Sequence, residues 1–117
     1  MAGLEGFIDL HTHGIGRFDT RTERPEDILQ IAELHAGEGT VAILPTVYPG
    51  PIDEMRRNLG AVRKAMEKQK GSGVRGQGSE VKGLKKKTAP IPAAILGAHL
   101  EGPFLNPERC GALDRNI

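Results

Sequence analysis

The sequence predicts an α/β domain built on a parallel sheet. Two observations carry that prediction. Short apolar runs alternate with longer segments of helical periodicity, in the order strand, helix, strand, helix, strand. Such alternation implies parallel neighbours joined by right-handed crossovers. Polar side chains also gather where each apolar run ends: His11 and His13 after the first, Thr46 after the second, His99 and Glu101 after the third. In parallel sheets the carboxyl ends of the strands are where ligands bind.

The first strand is expected over residues 6–11, a brief apolar run bounded by glycines, and it reads as buried. Residues 15–24 are polar, carry charge of both signs and read as a loop. Pro25 fits the first turn of a helix, with Glu26 and Asp27 behind it near the positive end of the helix dipole. Ile28, Ile31, Leu34 and His35 fall on one side of that helix with Ala32 beside them, and Gly37 and Gly39 end it. His35 reads as a helix-face histidine near the C-terminus.

Residues 40–46 form the second strand, apolar almost throughout as a strand buried on both faces should be. Pro45 is expected to stop its ladder. Gly50-Pro51 opens a second helix, in which Ile52, Met55, Leu59, Val62 and Met66 step by three or four residues into a single stripe. Residues 69–90 hold five glycines and six basic residues, with almost no apolar content, and predict a flexible surface insertion. A third strand is expected at 93–98, followed by His-Leu-Glu-Gly-Pro-Phe at 99–104. Residues 105–117 show no periodicity.

Length and composition bound the function. A chain of 117 residues can make one domain with a modest core. A net charge of +1 and an aromatic content of 3% supply neither a basic face nor a stacking platform, so no nucleic-acid partner is expected. The Lys85-Lys86-Lys87 run reads as solvated loop. No apolar run approaches the roughly 20 residues needed to span a bilayer, and the N-terminus lacks the pattern of a secretory signal. The single Cys110 cannot close an internal disulfide, which fits a cytoplasmic location.

The candidate chemistry centres on the two histidines near the N-terminus. Residues i and i+2 of a strand point to the same face, so His11 and His13 can aim two imidazoles at one point. Zinc accepts imidazole nitrogen at about 2.0–2.1 Å. Glu101 leaves the equivalent end of another strand and is the candidate third ligand. His99 reads equally as a packing residue or as a contact near the metal.

These residues resemble a known family. Gly-Phe-Ile-Asp-Leu-His-Thr-His-Gly, residues 6–14, is similar to the strand-one signature of the amidohydrolase superfamily, Pro-Gly-Phe-Ile-Asp-x-His-x-His-Gly, with Glu5 in place of the Pro. Residues 39–47, Gly-Thr-Val-Ala-Ile-Leu-Pro-Thr-Val, resemble the Gly-Thr-Thr-x-x-x-Pro-Thr block of N-acetylglucosamine-6-phosphate deacetylases. Residues 95–113 resemble that family's His-Leu-Glu-Gly-Pro-Phe segment.

The resemblance implies the N-terminal portion, about three β/α units, of a TIM-like (β/α)8 metal-dependent hydrolase barrel. Residues 1–117 would form that partial barrel, interrupted by the insertion at about 69–90. The implied reaction releases acetate from N-acetylglucosamine 6-phosphate to give glucosamine 6-phosphate. A divalent metal is implied, zinc or iron, as one ion or two. Glu101 matches the family's metal-ligating glutamate, and His11 and His13 match a pair that holds a second metal. Ala112 and Leu113 match a substrate-contacting stretch in which the family often has His at the position of Leu113.

The family's catalytic aspartate would lie beyond Ile117, as would two further histidine ligands. The implied partner is a phosphorylated amino sugar, with a homodimer at full length and neither nucleic acid nor membrane. A barrel of this type typically needs about 250 residues, so the expectation is a fragment, inactive alone. Two alternatives stand beside it. One is an amidohydrolase acting on a different amide or cyclic amide. The other is a non-catalytic α/β domain that binds a partner through its basic loop.

Overall fold

The computed structural model describes residues 6–72, 91–104 and 108–109. The elements are β1 (Phe7–Thr12), β2 (Gly14–Ile15), β3 (Phe18–Asp19), α1 (Pro25–Gly37), β4 (Thr40–Val47), α2 (Ile52–Ser72), β5 (Ala94–Ile95) and β6 (His99–Leu100). The strand–helix alternation is as the sequence predicts, and every pairing with β4 is parallel.

β4 is the central strand. β1 pairs with it, and so do β5 and β6. Its expected terminator, Pro45, does not stop it: β4 runs to Val47, and Thr46 and Val47 pair with His99 and Leu100. The reason lies in the neighbours. Pro45 lacks an N–H, but the ladder is irregular there. On β1, Leu10 and His11 face the single Leu44 between the pairs Asp9–Ile43 and Thr12–Pro45. On the third line of chain, Leu96, Gly97 and Ala98 face Leu44 and Pro45 between the pairs Ile95–Ile43 and His99–Thr46. Each neighbour therefore carries one extra residue, the signature of a bulge, which re-aims the side chains beyond it. The third strand is thus two short segments rather than one run over 93–98.

The expectation that the first strand is buried does not hold. Phe7, Ile8 and Leu10 are 72%, 58% and 58% exposed. β1 has β4 as its one neighbour, and among the described residues nothing covers its outer face.

The core lies between the sheet and the two helices. Ile28, Ile31 and Ala32 of α1 meet Ala61, Val62 and Ala65 of α2, together with Ile43, Ala93 and Ile95. α1 begins at Pro25 as expected, and Ile28, Ile31, Ala32 and His35 are its buried face. Leu34 is exposed. On α2 the buried stripe differs from the expected one: Met55, Asn58, Ala61, Val62, Ala65 and Gln69 turn inward, while Ile52 is exposed and Leu59 and Met66 are half-buried. The stripe is rotated by about one position, and it brings the small residues Ala61 and Ala65 into the buried cluster. Alanines let α2 approach α1 and the sheet where Leu or Met would hold it off.

Two further readings change. Residues 15–24 are not loop throughout: Ile15 and Phe18 pair across a Gly16-Arg17 turn as a minimal hairpin. Gly16 has φ 63°, which a two-residue hairpin turn with glycine first requires. The segment 69–90 does not begin as insertion, since α2 continues to Ser72. Gln69 is buried, its amide donating to the Ala93 carbonyl at 2.9 Å and its oxygen accepting from the Ile95 N–H at 3.0 Å. That side chain ties α2 to the backbone at the start of β5. The rest of the expected insertion lies outside the described residues.

Candidate metal centre

The bulge in β1 positions the first histidine. His11 donates its backbone N–H to Asp9 Oδ1 at 3.0 Å. His13 follows β1 directly and precedes Gly14, which has φ 142° and lies against the Phe18 carbonyl so closely that no side chain fits. Between the histidines, Thr12 turns the opposite way. Its hydroxyl lies 3.0 Å from His35 Nε2, in a buried contact, and accepts the Gly14 N–H at 3.2 Å. His35 is therefore not merely a helix-face residue; it ties α1 to the tripeptide that carries both imidazoles.

Glu101 follows β6 and is anchored through its N–H, which donates to the Val47 carbonyl at 3.2 Å. The next residue, Gly102, packs on Pro49, and a Cβ there would come within 2.8 Å of the proline ring. Close packing thus fixes the chain immediately after the carboxylate.

The three side chains converge. His11 Nε2 is 2.9 Å from Glu101 Oε2, His13 Nε2 is 3.1 Å from Glu101 Oε1, and the two Nε2 atoms are 3.4 Å apart. His13 Nδ1 and Glu101 Oε1 are buried without a hydrogen bond among the described residues; the 3.1 Å approach of His13 to Oε1 lacks hydrogen-bonding alignment. The donor set, two imidazoles and a carboxylate within 4.8 Å of one another, is one a divalent ion accepts. The nitrogen separation also fits, since two ligands at about 2.0–2.1 Å on a tetrahedral ion stand about 3.4 Å apart. The orphaned carboxylate oxygen fits as well, because an ion would satisfy it.

Surrounding groups line this cluster. His99 meets the His11 ring edge-on at 4.7 Å, and its Nδ1 is 3.4 Å from the Thr46 hydroxyl. Tyr48 stacks on His13 with ring centroids 3.9 Å apart. Burial, and then the neighbouring Asp19 carboxylate, raise the Tyr48 phenol above its ordinary pKa. Sequence reasoning passed over Tyr48. The available signal was its position two residues past Thr46, just beyond the end of the same strand. Ala112 and Leu113 lie outside the described residues.

Comparison with known proteins gives this edge a context. No family model matches the chain. It is 29% identical over 109 residues to an N-acetylglucosamine-6-phosphate deacetylase of Lysinibacillus sphaericus, covering 93% of this chain and 23% of that protein. It is 29% identical over 106 residues to an N-acetylgalactosamine-6-phosphate deacetylase of Escherichia coli O157:H7, again covering 23% of the relative. The crystal structure of the N-acetylglucosamine-6-phosphate deacetylase of Thermotoga maritima superposes with a TM-score of 0.64 at 25% identity, over 95% of this chain and 24% of that one. The chain resembles the N-terminal part of these deacetylases. It spans about a quarter of the length of the relatives it matches. Its parallel sheet with crossover helices is accordingly the N-terminal portion of a (β/α)8 barrel. His11, His13 and Glu101 stand at the carboxyl ends of its strands, the edge where such barrels carry their active sites.

Proposed function

We propose that this chain carries part of the metal centre of a deacetylase that hydrolyses N-acetylglucosamine 6-phosphate to glucosamine 6-phosphate and acetate. The observation that carries the reading is the convergence of His11, His13 and Glu101, from two separate strands, on one point. The deacetylase names of the relatives support the substrate class. Zinc or iron, as one ion or two, suits two imidazoles and a carboxylate.

When bound, a divalent ion supplies Lewis-acid polarisation of the amide carbonyl and a lowered pKa for the attacking water. The chain's own residues hold and orient it. Glu101 brings the negative charge, and His11 and His13 bring neutral nitrogen. The His11 side chain is 48% exposed, so the cluster can be reached from solvent. The reaction also needs a general base that moves the proton to the leaving amine. No described helix is long and apolar enough to cross a membrane.

The N-acetylgalactosamine-6-phosphate relative supports a second substrate reading. Acetate release from the two sugar phosphates, measured with protein that also supplies the remaining barrel strands, separates them. Faster turnover of the gluco epimer is expected, and preference for the galacto epimer would reverse the assignment. Calorimetric titration with zinc tests the site itself. Glu101→Gln is expected to weaken binding about tenfold or more, about 1.4 kcal/mol, and unchanged affinity would remove Glu101 from the ligand set.

A further inference from the structure

A stack of side chains lies against the metal cluster. The His13 and Tyr48 rings are 3.9 Å apart at an interplanar angle of 21°. The Arg21 guanidinium lies 4.2 Å from the centroid of Tyr48. The Tyr48 hydroxyl donates to Asp19 Oδ2 at 3.1 Å, and Asp19 Oδ1 accepts the Arg21 backbone N–H at 2.7 Å. Tyr48 thus has its rim tied to β3, with Arg21 and His13 in contact with its ring.

His13 lacks the usual alternative to this support. A metal-ligating histidine ordinarily donates its second ring N–H to a carboxylate or a carbonyl, which fixes the plane of the ring. His13 Nδ1 is buried and has no hydrogen bond among the described residues. A stacked ring at 3.9 Å resists rotation of the imidazole in the same way, because turning the ring breaks van der Waals contact over its whole face.

We propose that Tyr48 is a positioning residue of the metal centre, its ring, anchored through Asp19 and Arg21, setting the plane of His13 toward Glu101 and His11. The role rests on the metal reading above. Tyr48 acts through His13, the ring it stacks on. The ring does the positioning, while the hydroxyl and Arg21 hold the ring.

The test uses cobalt(II) as a spectroscopic probe on the purified chain and on Tyr48→Leu and Tyr48→Phe. Tyr48→Leu is expected to lower cobalt affinity about tenfold and to shift the visible d–d band, which reports ligand geometry. Tyr48→Phe keeps the ring and is expected to retain most of the affinity and the wild-type band. Wild-type affinity and spectrum in Tyr48→Leu would overturn the proposal, as would an equal loss in both variants. A wild-type chain that binds no cobalt would instead defeat the metal reading. Should Tyr48→Leu fail to fold, the proton NMR spectrum of the wild-type chain decides. Upfield ring-current shifts of the His13 imidazole protons, as a ring stacked at 3.9 Å produces, are expected. Unshifted His13 protons in the wild type would overturn the role.

Discussion

At the scale of single residues, the centre depends on groups whose own chemistry is unremarkable and whose placement is not. Thr12 stands between two candidate ligands and faces away from them. Its hydroxyl joins His35 to Gly14 in a buried contact. Thr12→Val keeps the shape and leaves the His35 ring nitrogen without that partner. The expected loss of stability is about 1–3 kcal/mol, read as a lowered urea midpoint at unchanged slope. Tyr48 offers a second measurement, because it is the one tyrosine in a chain without tryptophan. Burial and the Asp19 carboxylate favour the neutral phenol in the folded state, so its folded pKa lies above the ordinary 10.0. The associated stability is present below the unfolded pKa and is lost as pH rises through the folded one. An ultraviolet titration is therefore expected to place the native midpoint above that of the urea-unfolded chain, and Tyr48→Phe should remove this part of the alkaline destabilisation.

At the scale of elements, close packing decides where the helices sit. Alternation made the helices, the strands and their order legible in the sequence. The facing of α2 was not legible. A stripe of Ile52, Met55, Leu59, Val62 and Met66 satisfies helical periodicity as well as the observed stripe does. Periodicity cannot reveal that Ala61 and Ala65 belong to the buried cluster while Leu59 and Met66 are only half-buried. Ala65 is fully buried. Ala65→Leu is expected to destabilise the chain by about 1–3 kcal/mol through overpacking, seen in thermal unfolding, whereas Ile52→Ala, at an exposed position, should leave the midpoint nearly unchanged. The hairpin of β2 and β3 was readable in principle, from Ile15 and Phe18 flanking a Gly-x pair, and it matters because β3 brings Asp19 to Tyr48.

At the scale of the whole molecule, the described residues match one part of the closed sheet of the Thermotoga maritima deacetylase. The exposed apolar side chains of β1 fit that placement: in a barrel β1 would have a second neighbour and an interior to face. The chain alone is expected to release no acetate from N-acetylglucosamine 6-phosphate. Metal should nevertheless stabilise it. Binding to the folded state alone adds about 2.7 kcal/mol when the free ion is at a hundred times its Kd. Differential scanning fluorimetry should show the unfolding temperature rising with zinc, with the rise reduced in Glu101→Gln. An equal rise in both would assign the ion to another place on the chain.

The sequence by itself determined the strand–helix order, the parallel sense of the sheet and the residues at its carboxyl edge. Those follow from local periodicity and from the one-way geometry of crossovers. The motifs His-Thr-His and His-Leu-Glu-Gly-Pro-Phe also named the three converging side chains. Tertiary structure alone decided how they converge. The bulges opposite Leu44 and Pro45 turn His11 and His99, and no periodicity encodes a single extra residue. The stacking of Tyr48 on His13 and the burial of His35 against Thr12 join residues 35 and 23 positions apart. Such contacts depend on the path of the chain between them, which exists only once the sheet and helices have packed.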